Sequence, residues 1–309
     1  MGDSKKNILI VGPTASGKSE LAHLLGKKLG FSIISADSRQ CYQYLNIGTA
    51  KPLNSYLTEL DYKNISILNP KEPENAKLFL NRFVDWQSES IKPLLVVGGS
   101  TLYQQALLFG FDNIPESSES NLIQLEKEIN ENSIEFLFNR LKRVDPEYAL
   151  KMDGFNKQRI LRALDVYLQT GKPFSSFHTT NVTSQPIDWF VIYPVVPKDV
   201  LKERIDSRVD KMIANGLLNE ITSLIENGYS FTDPAFNSIG YKEWEAFFNQ
   251  TQSLQETIQK IKTNSWQYAK RQLTWLKRWG FLHTYDIGQG IKDEILQKIL
   301  EDYSAFLSE

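Results

Sequence analysis

Eight consecutive residues, Gly12-Pro13-Thr14-Ala15-Ser16-Gly17-Lys18-Ser19, fit the pattern G-x-x-x-x-G-K-[ST] completely. Residues of these types at this spacing build a phosphate cradle. The glycines let successive backbone N–H groups turn toward one anion, the lysine reaches terminal phosphates, and the final hydroxyl can hold Mg²⁺. Gly12 to Ser19 are therefore the expected diphosphate site, with Lys18 as its charged member and Ser19 as its metal ligand. A tight glycine turn that binds nothing is the competing reading. Such a loop recognises a diphosphate whatever the diphosphate carries, so it does not name the substrate. Two further runs offer chemistry. Ser35-Ala36-Asp37-Ser38-Arg39-Gln40 presents a carboxylate that can hold Mg²⁺ through water, accept a proton as general base, or cap the helix that follows. Gly98-Gly99-Ser100-Thr101 presents backbone N–H groups and two hydroxyls, with a plain helix N-cap as the alternative.

These groups need elements that bring them together. Asn7 to Gly12 is a continuous apolar run ending at glycine, which predicts a strand buried on both faces of a parallel sheet. Lys18 to Leu29 places Leu21, Ala22, Leu24, Leu25 and Leu29 on one helical face, and Gly30 offers a left-handed C-cap. Phe31 to Ala36 and Pro93 to Gly98 read as further buried strands, the second after a helix over Asn75 to Glu89. This alternation predicts an α/β fold, a P-loop NTPase-like parallel sheet flanked by helices. Ligands of such sheets sit at the carboxyl ends of the strands, so Asp37 and Ser100 are expected to face the loop. From Asn113 to Pro186 helical segments (Ser120 to Asn130, Glu135 to Lys142, Gln158 to Thr170) follow one another without a strand, which predicts a helical insertion domain. Ile187 to Val196 returns to the sheet, and Leu282 to Ile287 is a short last strand. The expected organisation is a catalytic core of 1–112 and 187–309 interrupted by an insertion of 113–186.

The composition excludes several classes. The chain has 309 residues, 41% hydrophobic and 23% charged, ordinary for a folded globular protein. No apolar run reaches the roughly 18 residues of a membrane span, and the opening Met-Gly-Asp-Ser-Lys-Lys leads into a short strand rather than a secretory signal. No membrane partner is expected. One cysteine, Cys41, allows no intrachain disulfide and suits a reducing cytoplasm. A net charge of −2 gives no bulk attraction to nucleic acid, so any polyanion must be met locally. Ile258 to Leu282 supplies such a patch: Lys260, Lys262, Lys270, Arg271, Lys277 and Arg278 without an acidic residue, interleaved with Trp266, Tyr268, Trp275 and Trp279. Cations of this kind take backbone phosphates while the rings stack on unpaired bases. The bland alternative is an amphipathic helix with Ile258, Ile261, Ala269, Leu273 and Leu276 on the core and the tryptophans buried beside them. In the insertion, Gln158, Arg159 and Arg162 share one helical face with Ile160 and Leu161 turned inward.

Six ordered motifs carry a resemblance that the physics alone does not supply. They are the phosphate loop, Ser35 to Gln40, Ile47-Gly48-Thr49-Ala50-Lys51-Pro52, Gly98 to Tyr103, Gln158-Arg159-Ile160-Leu161-Arg162-Ala163-Leu164 and Tyr268-Ala269-Lys270-Arg271-Gln272-Leu273-Thr274-Trp275. Together they resemble the bacterial tRNA dimethylallyltransferases over nearly the whole chain. The resemblance implies transfer of a dimethylallyl group from dimethylallyl diphosphate to N6 of adenosine 37 in tRNA, with Mg²⁺ as cofactor and diphosphate as leaving group. It implies Asp37 as the base, Lys18, Ser100 and Arg208 as further catalytic groups, and Gly12 to Ser19 as the diphosphate site. A tRNA surface is implied at Asp37, Ser38, Arg39 and Gln40, at Gln158, Arg159, Ile160, Leu161 and Arg162, and at Lys270, Arg271 and Gln272. A monomer is expected, as is extrusion of the target base into a channel entered by adenine at one mouth and by the allyl diphosphate at the other.

The chain departs from the family pattern in two places. A usual His-His pair before an Asp-Pro turn is here Asp61-Tyr62-Lys63 followed by Asn69-Pro70, and a usual Gly-Gly-Thr is Gly98-Gly99-Ser100. His23, His178 and His283 lack metal-ligand spacing. Competing readings are a small-metabolite kinase using the same loop for ATP, a prenyltransferase acting on free AMP, and a non-catalytic RNA-binding switch.

Overall fold

The computed structural model describes residues 6–152, 154–178 and 188–309. The chain divides into two compact units, Met1–Leu108 with Val182–Glu309, and Phe109–Asn181. The expected insertion boundary at Pro186 and the expected strand start at Ile187 lie outside the described residues, as does the opening Met1 to Lys5.

The first unit begins with β1 (Asn7–Ile10), α1 (Lys18–Leu29), β2 (Ile33–Ser35), α2 (Asn54–Glu59), β3 (Tyr62–Lys63), α3 (Ala76–Glu89), β4 (Leu95–Val97) and α4 (Thr101–Phe109). The second unit holds α5 (Glu119–Glu131), α6 (Ile134–Val144), α7 (Pro146–Leu150) and α8 (Lys157–Thr170). The first then resumes with β5 (Trp189–Val195), α9 (Lys198–Ala214), α10 (Leu217–Glu226), α11 (Trp244–Phe248), α12 (Leu254–Leu276), β6 (His283–Asp286) and α13 (Asp293–Ser308).

The six strands form one parallel sheet in the order β3-β2-β4-β1-β5-β6. Ile8, Leu9 and Ile10 of the central β1 are fully buried, as a strand covered on both faces requires. The chain leaves β1 for β2 on one side, whereas β5 lies on the other, so the sheet reverses its winding at β1. In open α/β sheets that reversal places a crevice beyond the carboxyl ends of the strands. The phosphate loop follows β1, Asp37 follows β2, and Gly98 follows β4, so all three reach this one edge. The ends of β2 and β4 touch: a Cβ on Gly98 would lie 2.0 Å from the Ala36 carbonyl oxygen.

Leu21 and Leu25 of α1 and Ile299, Tyr303 and Phe306 of α13 share one apolar cluster with Ile8, Ile10, Ile33 and Leu95 of the sheet. Leu201 and Ile205 of α9 pack with Ala269 of α12, Val196 and Ile287 in another. Helix α12 starts with a capping box in which Ser253 and Glu256 satisfy each other's backbone N–H groups. At 1.5 Å per residue its 23 residues span roughly 35 Å.

The second unit has its own core, in which Leu125, Leu137, Leu141, Ile160 and Leu164 are fully buried. Helices α6 and α7 are separated by Asp145, whose carboxylate accepts the Tyr148 N–H at 3.0 Å and the Ser175 N–H at 2.8 Å.

Candidate active site

The phosphate loop holds its form through left-handed residues. Gly12, Ala15 and Gly17 have φ of 147°, 62° and 84°. Ala15 is the strained member, because only glycine adopts this region at no steric cost. Ala15 and Gly17 bracket Ser16, so neighbouring N–H groups converge on one side and form an anion-binding nest at the start of α1. Ser16 Oγ is buried and has no hydrogen-bond partner among the described residues. An anion in the cradle would satisfy it.

Two cavities flank this loop. One, of about 170 Å³, is lined by Thr14 to Glu20 together with Asp37, Gln40, Gly98, Gly99, Tyr62 and Gln272. The other, of about 300 Å³, is lined by Ser38, Arg39, Ser100, Met212, Ile261 and Arg271 among others. Thr14, Asp37, Arg208 and Tyr268 line both, so the four form the wall at which the two spaces meet.

The electrostatics at that wall follow from burial. Lys18 is 8% exposed, and loss of water together with the nearby Arg208 charge pushes its ammonium down to about 7, while the Asp37 carboxylate pulls it back up. Burial likewise lowers the Arg208 guanidinium from its usual range, again against the pull of Asp37. Two desolvated cations and one carboxylate thus face a shared space, an arrangement that favours a multiply charged anion. Lys18 Nζ donates to the Pro13 carbonyl, which points it back along the loop. Asp37 Oδ1 accepts the Arg39 N–H at 2.9 Å and the Gln40 N–H at 3.4 Å, so it caps a turn and not the expected helix, the next of which begins only at Asn54, and the second carboxylate oxygen is left for other partners. Ser100 Oγ accepts the Ser38 N–H at 3.0 Å and tethers the Asp37 turn to the end of β4.

The fit to Mg²⁺ can be judged from the donor set. No group of three or more His, Cys, Asp or Glu side chains that could hold a metal is present among the described residues, so there is no all-protein cage. The exposed Ser19 and Asp37 line one cavity with the phosphate nest. Mg²⁺ ordinarily takes one or two protein oxygens and completes its octahedron with phosphate and water. The residues fit an ion that arrives with a phosphorylated ligand.

Several expected RNA contacts are used inside the protein. Gln40 is buried; its carboxamide accepts from Ser35 Oγ at 2.8 Å and donates to the carbonyls of Thr49 and Ala50 at 3.3 and 3.1 Å. Arg39 donates to the Pro234 carbonyl at 3.1 Å but still lines the larger cavity, beside Ser38. Gln272 is 1% exposed and joins the phosphate loop to Gly99, so its side chain offers nothing to a nucleic acid. Ile160 and Leu161 face the core of the second unit, with Ala163 and Leu164 continuing the same buried stripe of α8. Arg162 is tied to Asp165 at 2.9 Å and to the Pro115 carbonyl, whereas Gln158 and Arg159 are exposed.

On α12 and the turn after it, Lys270, Arg271, Lys277 and Arg278 are exposed. Lys262 pairs with Asp210 at 2.6 Å, Trp266 packs on the Val196 cluster and Trp279 is buried. The Tyr268 hydroxyl donates to the Gly99 carbonyl at 3.1 Å. Most of the rings expected to stack on bases are therefore held by the protein, because the helix must bury one side to stay docked.

Sequence reasoning missed the Asn237 to Lys242 turn, which lines the larger cavity, and Tyr62, which lines the smaller. Gly240 in a Ser-Ile-Gly-Tyr run signals a turn but carries no chemistry by itself. Tyr62 shares a hydrogen bond of 3.1 Å with His23 Nδ1.

The parallel sheet and the nest at the end of its central strand define an α/β protein of the P-loop type with a carboxylate beside the nest. Residues 40–279 match the sequence profile of the IPP transferase family, to which this chain belongs. It is 36% identical over 308 residues to the tRNA dimethylallyltransferase of Alkaliphilus oremlandii, with 97% of each chain covered. The full-length tRNA isopentenylpyrophosphate transferase of Bacillus halodurans has a similar structure, with a TM-score of 0.71 at 29% identity over 98% of this chain and 97% of that one. A eukaryotic dimethylallyltransferase, solved acting on tRNA, gives a TM-score of 0.75 at 27% identity over 92% and 74%. No helix among the described residues is long and apolar enough to cross a membrane.

Proposed function

We propose that this protein transfers a dimethylallyl group from dimethylallyl diphosphate to N6 of adenosine 37 in tRNA, releasing diphosphate, and that it works as a monomer in the cytoplasm. The observation that carries the reading is the pair of cavities meeting at Thr14, Asp37, Arg208 and Tyr268. A transfer between a small anion and a base held in a polymer needs two entrances and one shared wall. The names of the relatives reported above support tRNA as the acceptor and a dimethylallyl group as what is transferred.

In this reading the diphosphate lies in the smaller cavity, held by the loop N–H groups, Lys18 and Arg208. As the allylic C–O bond breaks, negative charge grows on the diphosphate and positive character on the allyl carbon. Lys18 and Arg208 stabilise the former at fixed positions and so add little reorganisation cost. Mg²⁺ arriving with the diphosphate would be held by Ser19 and would add neutralisation to the leaving group. The adenine enters the larger cavity past Ser38, Arg39 and Ser100. Its exocyclic amine attacks the allyl carbon, and Asp37 accepts the proton that the forming N–C bond makes acidic. The exposed cations of α12 take backbone phosphates, and Gln158 and Arg159 of the second unit grip the anticodon stem.

The test offers labelled dimethylallyl diphosphate and labelled ATP with AMP and unmodified tRNA as acceptors. Prenyl label in tRNA supports the reading. Label in AMP alone, or phosphate transfer from ATP, rejects it, and a complex in which both substrates use one entrance rejects the two-mouthed arrangement.

A further inference from the structure

Gln272 lies in the motif whose neighbours Lys270 and Arg271 point to solvent, yet its own carboxamide is buried at the centre of the crevice. Both ends are used. Oε1 accepts the backbone N–H of Thr14 at 2.8 Å, and Nε2 donates to the backbone carbonyl of Gly99 at 2.7 Å. One planar amide therefore joins the loop after β1 to the turn after β4, the two strand ends that wall the smaller cavity. Tyr268, one helical turn earlier on the same face, sends its hydroxyl to the same Gly99 carbonyl at 3.1 Å. Gly99 has no room for a side chain for this reason: an added Cβ would lie 2.5 Å from Gln272 Nε2.

The consequence for the cradle is specific. Thr14 N–H is turned away from the nest and given to Gln272, which fixes the direction of the peptide planes that follow it through Ala15 and Ser16. Ala15 sits at φ 62°, so the loop conformation is not one the chain adopts unaided. Thr14 and Gly99 are part-buried, and although Tyr268 also reaches the Gly99 carbonyl, the Gln272 amide alone ties that carbonyl to the Thr14 N–H, so it holds the loop in this form.

We infer that Gln272 is a positioning residue: it clamps the phosphate loop to the β4 turn and so sets the geometry in which diphosphate is bound. This rests on the proposed diphosphate site but not on the identity of the acceptor.

The test compares the full-length wild type with Gln272→Met, which keeps length and bulk but has no polar end. Thr257→Val is the control, a buried substitution on α12 remote from the loop that also breaks local hydrogen bonds, to Ser253 and Gln252. Calorimetric titration with inorganic pyrophosphate on folded protein should show Gln272→Met weakened about tenfold or more. Its dissociation constant for tRNA should stay within about twofold, and Thr257→Val should lose thermal stability while binding pyrophosphate like the wild type. Wild-type pyrophosphate affinity in Gln272→Met, or equal weakening in Thr257→Val, overturns the clamp. If Gln272→Met does not fold, Gln272→Asn decides. It keeps an uncharged amide but is one methylene too short to reach Thr14 and Gly99 together, so unchanged pyrophosphate affinity overturns the clamp and a loss of about fivefold or more supports it. A wild type that binds pyrophosphate but does not prenylate tRNA would defeat the proposed function and leave this comparison intact.

Discussion

Replacing Asp37 by asparagine removes a charge and keeps a shape. The Oδ1 atom that accepts the Arg39 and Gln40 N–H groups at 2.9 and 3.4 Å has an equivalent in asparagine, so the turn keeps its cap. Alanine loses it. A cap of this kind is worth about 1 kcal/mol of stability. The two variants therefore separate the roles: if Asp37 only caps, Asp37→Asn is near wild type and Asp37→Ala is less stable and otherwise competent. If Asp37 takes the amine proton, both lose turnover by about 10²- to 10⁴-fold, equivalent to about 3–5 kcal/mol of barrier, regardless of the cap. The two magnitudes differ enough to be told apart. The assay is single turnover with dimethylallyl diphosphate and tRNA both saturating, alongside thermal unfolding and pyrophosphate titration. Since Asp37 also helps Lys18 keep its proton, binding should be compared near pH 6, where Lys18 is mostly charged in the wild type. A single-turnover rate for Asp37→Asn within threefold of wild type, in about the same units, would refute the base role.

Other outcomes follow from particular contacts. Burial pushes the free Lys18 ammonium down to about 7 and a bound anion raises it again, so pyrophosphate binding at pH 8 should be accompanied by proton uptake through this group. Calorimetry in buffers of different ionisation heat measures this uptake, and Lys18→Met should abolish it. Gly98→Ala forces a Cβ within 2.0 Å of the Ala36 oxygen, a backbone atom that cannot swing away, so urea titration should show a loss of about 3 kcal/mol or more. Glu220 accepts the Asn46 and Ile47 N–H groups at 2.9 Å each and the Tyr241 hydroxyl at 2.6 Å, so Glu220→Ala should cost about 2–3 kcal/mol by the same method. In the second unit, Ile160→Ala should destabilise by about 2–5 kcal/mol without a direct effect on RNA affinity. Arg159→Ala should leave unfolding unchanged and weaken tRNA binding in a filter assay.

What could be read from the sequence divides along a physical line. Strand β1, its loop and α1 were legible because a fully buried strand is a continuous apolar run, and the glycine pattern states its own backbone requirement. Helix α3 was legible to its N-cap, since Asn75 accepts from Lys77 and Leu78 and the apolar spacing begins directly after. Helix α9 gave no such signal. Its charged residues outnumber its apolar ones, and Arg208 was found only through the family resemblance, although it lines both cavities. Strand β3, two residues long, is too short to show a period. Gln272 is the instructive miss. Its neighbours Lys270 and Arg271 suggested RNA, but its partner Thr14 lies 258 positions away, and no local pattern encodes a contact at that separation.

The same wall of residues also explains why the donor and the base can share so small a space. Asp37 raises the proton affinity of both Lys18 and Arg208, so before substrate arrives the carboxylate acts as their counter-ion. A diphosphate bound as proposed would carry more negative charge than one carboxylate and reach the same two cations, and so would displace Asp37 from that role. The carboxylate would then be free to serve an amine in the larger cavity, which it also lines. On this account leaving-group binding and base activation are one electrostatic exchange. Arg208→Gln should therefore weaken pyrophosphate binding and also slow the chemical step at saturating donor. A variant that raises the donor KM with an unchanged single-turnover rate would show that Arg208 serves binding alone.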